Sequence, residues 1–210
     1  MSEYTLISDA YATITPAGAY YAVTGAEDDP ARNVLTALLK MPQTPLLDPA
    51  TLQGICPQET ESNALDLLFR MQEVGWLAGS SNADQAPDLN MERDIPQLLE
   101  KLSSEGHTLL ADAQGFYLAN TGFSHEAIEE LSALAAEVAA IQRQHRRLIR
   151  NNLRSYATGW SAVDAAGNSQ IGFWPLHVSQ QTFVLAISGT PSFNQKFFTD
   201  LVWWLVRRYS

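Results

Sequence analysis

A single cysteine, Cys56, stands in a chain of 210 residues, which excludes an internal disulfide framework and makes a reducing, cytoplasmic setting the expectation. Positive charge is scarce as well: 13 Lys and Arg against 23 Asp and Glu leave a formal charge of -10 and a pI near 4.7. That balance opposes non-specific attraction to nucleic acid or anionic lipid unless a local basic patch overrides it. No uninterrupted apolar stretch reaches the length of a membrane span, and Met1 to Asp9 carries no basic leader, so no membrane insertion is expected. A phosphate loop is missing, because no glycine run ends in Lys-Ser or Lys-Thr, and nucleotide binding by the chain itself is unsupported. His107, His125, His145 and His177 are widely separated, with no helical ligand pair and no Cys/His grouping, so neither a metal nor a cofactor is expected. Ser124-His125-Glu126 contains the residue types of a triad, but neighbours at a helix start point in different directions. Cys56 has no basic neighbour to lower its pKa and reads as a buried, inert thiol.

What is present is enough apolar material for a sizeable core, 46% of residues, over a length that suits two small domains. Acidity is concentrated at one end. Residues 1 to 90 hold 3 Lys/Arg against 12 Asp/Glu, whereas 91 to 210 hold 10 against 11.

In the N-terminal half, Tyr4 to Thr24 is rich in Tyr, Thr, Ile and Val around Pro16-Ala-Gly18, which predicts two short strands forming a hairpin. After the acidic turn Glu27-Asp28-Asp29-Pro30, the spacing of Val34, Leu35, Leu38 and Leu39 predicts a helix with Pro30 in its first turn. Asp48-Pro49 opens a short helix through Ile55, and Ala64, Leu65, Leu68, Phe69 and Met71 mark a third that Gly75 stops. With Trp76-Leu77-Ala78 as the first strand of a wing, residues 1–80 resemble a winged-helix module, the matching segments running from about Pro30 to Ser80. A DNA-reading helix needs cations for phosphates and base edges. The third helix instead sets Arg70 against Glu59, Glu61, Asp66 and Glu73, so a protein-contact module is preferred and nucleic acid is not the expected partner.

Ser80-Ser-Asn-Ala-Asp-Gln-Ala-Pro87 has the small, polar composition of a linker, placing the boundary at 81–90 and a second domain at 91–210. There Ile95, Leu98, Leu99 and Leu102 predict a helix ended by Gly106. His107 to Ala111 and Phe116 to Asn120 predict strands joined by the tight turn Asp112-Ala-Gln-Gly115. Ser124 caps a long helix with Glu126, Glu129 and Glu130 at its start and a stripe of Ile128, Leu131, Leu134, Ala135, Val138, Ile141 and Leu148 expected to be buried. Three strands follow at Tyr156 to Val163, Ile171 to Val178 and Thr182 to Ile187, with a bulge or break expected at Pro175. A final helix from Ser192 carries Phe193, Phe197, Leu201 and Leu205 on one stripe, widened by Phe198, Val202, Trp203 and Trp204.

The fold class is therefore α+β, with a C-terminal α-β-β-α-β-β-β-α domain preceded by a small winged-helix-like one. From about Met91 to Arg208 the chain resembles the Roadblock/dynein light chain seven family, whose bacterial members include MglB-type regulators. The likeness rests on Leu109-Leu-Ala-Asp-Ala-Gln-Gly-Phe-Tyr-Leu-Ala-Asn-Thr-Gly122, on Leu131-Ser-Ala-Leu-Ala-Ala-Glu-Val-Ala-Ala140, and on Ile171-Gly-Phe-Trp-Pro-Leu-His-Val178 with Phe183-Val-Leu-Ala-Ile187. The resemblance implies a five-stranded sheet with the long helix on one face and the terminal helices on the other. It also implies homodimers formed by joining edge strands and pairing long helices, and a non-enzymatic adaptor or regulator that engages a small Ras-like GTPase. Two other readings stand beside it: a DNA-linked regulator using the N-terminal module, and a structural scaffold whose sheet edges pair further.

Arg143, Arg146, Arg147 and Arg150 crowd the end of the long helix, more positive charge than the helix dipole calls for. They are the candidate partner-binding residues, as a docking face for an acidic partner. The plainer reading, a solvated helix end or a contact with the chain's own acidic half, is preferred at this stage because surface charge alone seldom identifies a ligand.

Overall fold

The computed structural model describes residues 4–7, 9–25 and 29–210. Glu27 and Asp28 of the expected acidic turn, with Met1–Glu3 and Ser8 of the N-terminal stretch, lie outside the described residues. The protein is α+β, with seven α-helices and two antiparallel sheets among the described residues. It divides into two compact units, Met1–Asp88 with Phe193–Ser210, and Leu89–Ser192.

The first unit begins with strand β1 (Tyr11–Ile14) and helix α1 (Pro16–Val23). The expected hairpin across Pro16-Ala-Gly18 is therefore replaced by a strand and a helix. Thr15 caps the helix by accepting from Gly18 N at 3.1 Å, and Pro16 occupies the first turn, where its missing N–H is harmless. These local signals outweigh the β-forming composition of the segment. Helices α2 (Pro30–Lys40), α3 (Pro49–Ile55) and α4 (Glu61–Glu73) form where their spacing predicts, capped by Asp29, Asp48 and Thr60. Strand β2 (Leu77–Ser80) pairs antiparallel with β1, from Ile14 opposite Leu77 to Tyr11 opposite Ser80. At the crossing of α1 and β2, the α-carbon of Gly18 comes so near the chain that a β-carbon there would lie 2.1 Å from the Trp76 carbonyl oxygen.

The linker-like segment is held along its middle. Asp84 N donates to Thr44 Oγ1 at 2.8 Å, Thr44 N to Asp84 O at 2.9 Å and Ala86 N to Pro42 O at 2.9 Å. Hydrogen bonds of this density belong to a packed edge, and the division between units falls after Asp88.

The last helix, α7 (Lys196–Tyr209), was expected to complete the C-terminal domain, with some of its aromatic surface against the sheet and some against the N-terminal half. It packs with α1 and α2 of the first unit. Trp203 Nε1 donates to Met41 O at 3.0 Å, and Tyr20, Phe193 and Phe198 form an aromatic cluster with centroids 4.8 to 6.0 Å apart. Phe198, Thr199 and Leu201 to Val206 are buried, whereas Phe197, expected on the buried stripe, is exposed. A helix apolar nearly all round must be enclosed on most sides.

The second unit opens with α5 (Asp94–Glu100) and builds one sheet from β3 (Thr108–Asp112), β4 (Tyr117–Thr121), β5 (Trp160–Val163), β6 (Ser169–Val178) and β7 (Gln181–Ser188). The spatial order is β4-β3-β7-β6-β5, all neighbours antiparallel, so β3 and β7 are central. In the β3–β4 turn the Asp112 carboxylate accepts from Gln114 N at 2.9 Å and Phe116 N at 3.0 Å, and Gly115 adopts φ +92°. That left-handed conformation suits glycine.

Pro175 does not interrupt β6 against β7: the register runs unbroken through Pro175 opposite Val184. Gln170 O accepts from Gly189 N, so alternate residues Ile171, Phe173 and Pro175 turn their backbone groups toward β5. The missing N–H of Pro175 therefore falls on the far side, where the next rung of β5 would need it. This explains why β5 starts at Trp160 rather than at Tyr156 as expected: its pairing ends at Trp160 opposite Phe173. Among the described residues no helix is long and apolar enough to cross a membrane.

Candidate functional site on the long helix and open sheet edge

Helix α6 (His125–Arg147) carries the candidate site. Ser124 Oγ caps it by accepting from Ala127 N at 3.4 Å, so this hydroxyl is engaged with the backbone, and His125 Nε2 lies 3.8 Å from a Glu129 oxygen one turn on. One face, made by Ile128, Ser132, Ala135 and Ala139, is buried on a core of Leu109, Ala111, Phe173, Val184 and Ala186. The small side chains let the helix approach the sheet closely, and Ser132 satisfies its buried hydroxyl by donating to Ile128 O at 2.7 Å.

The expected buried stripe splits in two. Leu131 and Val138 pack partly against the core, but Leu134, Ile141 and Leu148 are 42%, 44% and 46% exposed. Their seven-residue spacing places them along one line, away from the sheet, so α6 has a second apolar face. Beside it, β5 is exposed at all four residues and is an edge strand, with β6 as its sole neighbour in the sheet among the described residues. Trp160 Nε1 ties that edge to the helix by donating to Gln142 Oε1 at 3.2 Å. The sequence signal for the second face was present as a heptad superposed on the 3.6-residue period. A single broad stripe absorbed both.

Past Ala139, its last buried residue, α6 runs on for roughly 12 Å at 1.5 Å per residue and continues into a π-helical turn, Leu148–Asn152. Arg143, Arg146 and Arg147 sit on this extension and Arg150 in the turn, all four exposed. At about 100° per residue, Arg143, Arg146 and Arg147 lie roughly 120–160° round the helix from Ile141. The structure thus gathers the four arginines at one protruding end and turns the three on α6 away from the apolar line. Arg154, outside the sequence-based set, adds a fifth guanidinium close by, in a left-handed backbone conformation with φ +51°.

Elsewhere the chemistry is quiet. Cys56 is buried in the first unit, where burial and the nearby charge of Glu59 push its thiol up to about 11. An open cleft of about 740 Å³ lined by Tyr4, Leu6, Leu46, Pro49, Glu61 and Leu65, among others, lies in the same unit. Asp48 on its rim is a helix cap, and the Thr51 N–H holds its carboxyl below the usual range. Among the described residues no three His, Cys, Asp or Glu side chains group as metal ligands.

Fold and site together define an α+β protein whose five-stranded antiparallel sheet carries a long helix with one face inward and one outward. No family model matches the chain, and no curated protein matches it.

Proposed function

We propose that the chain is a non-enzymatic adaptor or regulator that dimerises through the outer face of α6 and the open edge of β5 and binds a partner protein, with a small Ras-like GTPase as the partner class the Roadblock resemblance implies. The observation that carries this reading is the exposed line Leu134, Ile141, Leu148 beside an edge strand that has no outer neighbour in the sheet among the described residues. Aligned apolar side chains in water favour association, and unpaired strand edges favour strand addition. A second copy answers both at once, because a two-fold axis makes the same patch its own complement. The α-β-β-α-β-β-β order of the second unit supports a Roadblock-like arrangement, and helices α2, α3 and α4 followed by β2 support a winged-helix-like one. The packing of α7 with α1 and α2 departs from the Roadblock pattern.

In this reading the arginines, turned away from the dimer line, form a docking face for an acidic partner. A GTPase bound to the dimer is regulated by positioning of its own groups, which needs no nucleophile from this chain. Light scattering is expected to give twice the 23.1 kDa chain mass, and Ile141→Asp to give a monomer. A monomeric parent at tens of micromolar ends the dimer reading. Pull-down with a panel of Ras-like GTPases, followed by a hydrolysis assay, tests the partner class; uniform absence of binding removes it.

A further inference from the structure

We infer that the protruding segment from Arg143 to Trp160 is a peripheral anchor for an anionic lipid surface. This goes beyond the proposed protein partner, because it assigns the arginine tip to a lipid surface in place of an acidic protein. Arg143, Arg146, Arg147, Arg150 and Arg154 occur with no Asp or Glu between Glu137 and Asp164. A chain of formal charge -10 thus carries one locally cationic segment, at the end of a helix that has outrun its core. Beyond about 8 Å at physiological salt the acidity of the remainder is screened, so the local charge governs what this tip meets.

Charge alone fits any polyanion. The apolar side chains decide between them. Leu153 is 66% and Tyr156 83% exposed, and neither belongs to the dimer line of Leu134, Ile141 and Leu148. The loop is not a free strand: Leu153 N donates to Leu148 O at 2.9 Å and Ser155 N to Ile149 O at 3.0 Å, folding it back on the π-helical turn. Leu153 and Tyr156 are therefore presented from a fixed frame among the arginines. A nucleic acid backbone engages the guanidinium groups and leaves the aliphatic Leu153 in water, and an acidic peptide covers Leu153 only where it carries an apolar residue of its own. A lipid interface uses both, with guanidinium groups at the phosphates and the Leu153 and Tyr156 side chains at the boundary between headgroups and acyl chains. Nothing in this arrangement crosses the bilayer.

The test is flotation of the full chain with phosphatidylcholine vesicles, with and without phosphatidylglycerol, at low and physiological salt. Binding is expected only with phosphatidylglycerol, and weaker as salt rises. The double change Arg150→Gln/Arg154→Gln should lower the partition coefficient about 25-fold, at about five-fold per basic residue near an anionic surface. Leu153→Ser/Tyr156→Ser should lower it by about ten-fold or more, because burial of one large apolar side chain contributes at least that factor. Absence of binding to phosphatidylglycerol vesicles overturns the proposal. So does binding that falls with the arginine pair yet is indifferent to the Leu153/Tyr156 pair, an outcome that reduces the contact to charge adsorption without an apolar anchor. Light scattering on the same samples reads dimerisation separately: a monomer that floats removes only the dimer, and a dimer that does not float removes only the anchor.

Discussion

Replacing Gly18 with alanine reverses the sign that helix propensity predicts. Alanine is favoured over glycine inside a helix by about 1 kcal/mol, so by local rules Gly18→Ala stabilises α1. In the fold the added β-carbon would lie 2.1 Å from the Trp76 carbonyl oxygen and 2.9 Å from its carbon, both backbone atoms that cannot rotate away. Restoring ordinary contact requires α1 and the Trp76 segment to separate by about 1 Å, on the scale of van der Waals spacing. That movement strains the Thr15 N to Trp76 O bond of 3.2 Å, the Thr15 Oγ1 to Gly75 O bond of 2.6 Å and the stacking of Tyr21 on Trp76 at 3.7 Å. Overpacking of this kind costs about 1–3 kcal/mol, and each weakened hydrogen bond about 1 kcal/mol, so a net loss of about 2–3 kcal/mol is expected. Gly54, also helical, has nothing within 4 Å of its would-be β-carbon, and Gly54→Ala should stabilise by about 0.5–1 kcal/mol. Equilibrium urea unfolding followed by tryptophan fluorescence measures both. Trp76, Trp203 and Trp204 all lie in the unit under test. The midpoint should fall by about 1 M urea for Gly18→Ala and rise slightly for Gly54→Ala. A Gly18→Ala protein as stable as its parent would refute the close approach of α1 to Trp76.

The Cys56 thiol, raised to about 11 by burial and then by Glu59, should resist alkylation in the native protein at pH 8 and react on addition of denaturant; rapid native labelling contradicts its burial. Because the folded thiol holds its proton to a higher pH than the unfolded one, its contribution is fully present below about pH 8.5. It is lost as pH rises through about 11. The urea midpoint of the parent should therefore fall more steeply over that window than that of Cys56→Ala. Asp112→Ala removes the acceptor for two backbone donors of the β3–β4 turn and should cost about 1–2 kcal/mol. Asp112→Asn, which keeps a carbonyl acceptor, should cost well under half of that, and equal losses for the two variants would deny the turn its side-chain bonds.

Much of this architecture was legible because its signals act within a few residues. Asp48, Ser124 and Pro30 mark helix starts through bonds or restrictions on the adjoining turn, and Asp112 with Gly115 specifies a tight reversal through its own side chain and a left-handed backbone. The arginine cluster was equally plain, since identity and spacing alone put four cations at one helix end. Where the reading failed, composition outweighed a local cap or a distant residue held the answer. The stretch Pro16–Val23 is helical because Thr15 and Pro16 open a helix there, and its β-rich composition contains no trace of the Trp76 backbone, 61 residues from Thr15, beside which that helix lies.

The amino-acid order by itself determined the local alphabet: six helices' worth of caps and stripes, the turn residues, and the uneven distribution of charge. Tertiary structure alone decided which apolar faces share a core. It moved α7 into the company of α1 and α2, left Leu134, Ile141 and Leu148 facing outward, and set Pro175 where its absent N–H ends β5 instead of breaking β6. The reason is physical: caps and turns are short-range and directional, whereas hydrophobic burial is non-directional and indifferent to separation along the chain, so its partners are fixed only when the chain has closed on itself.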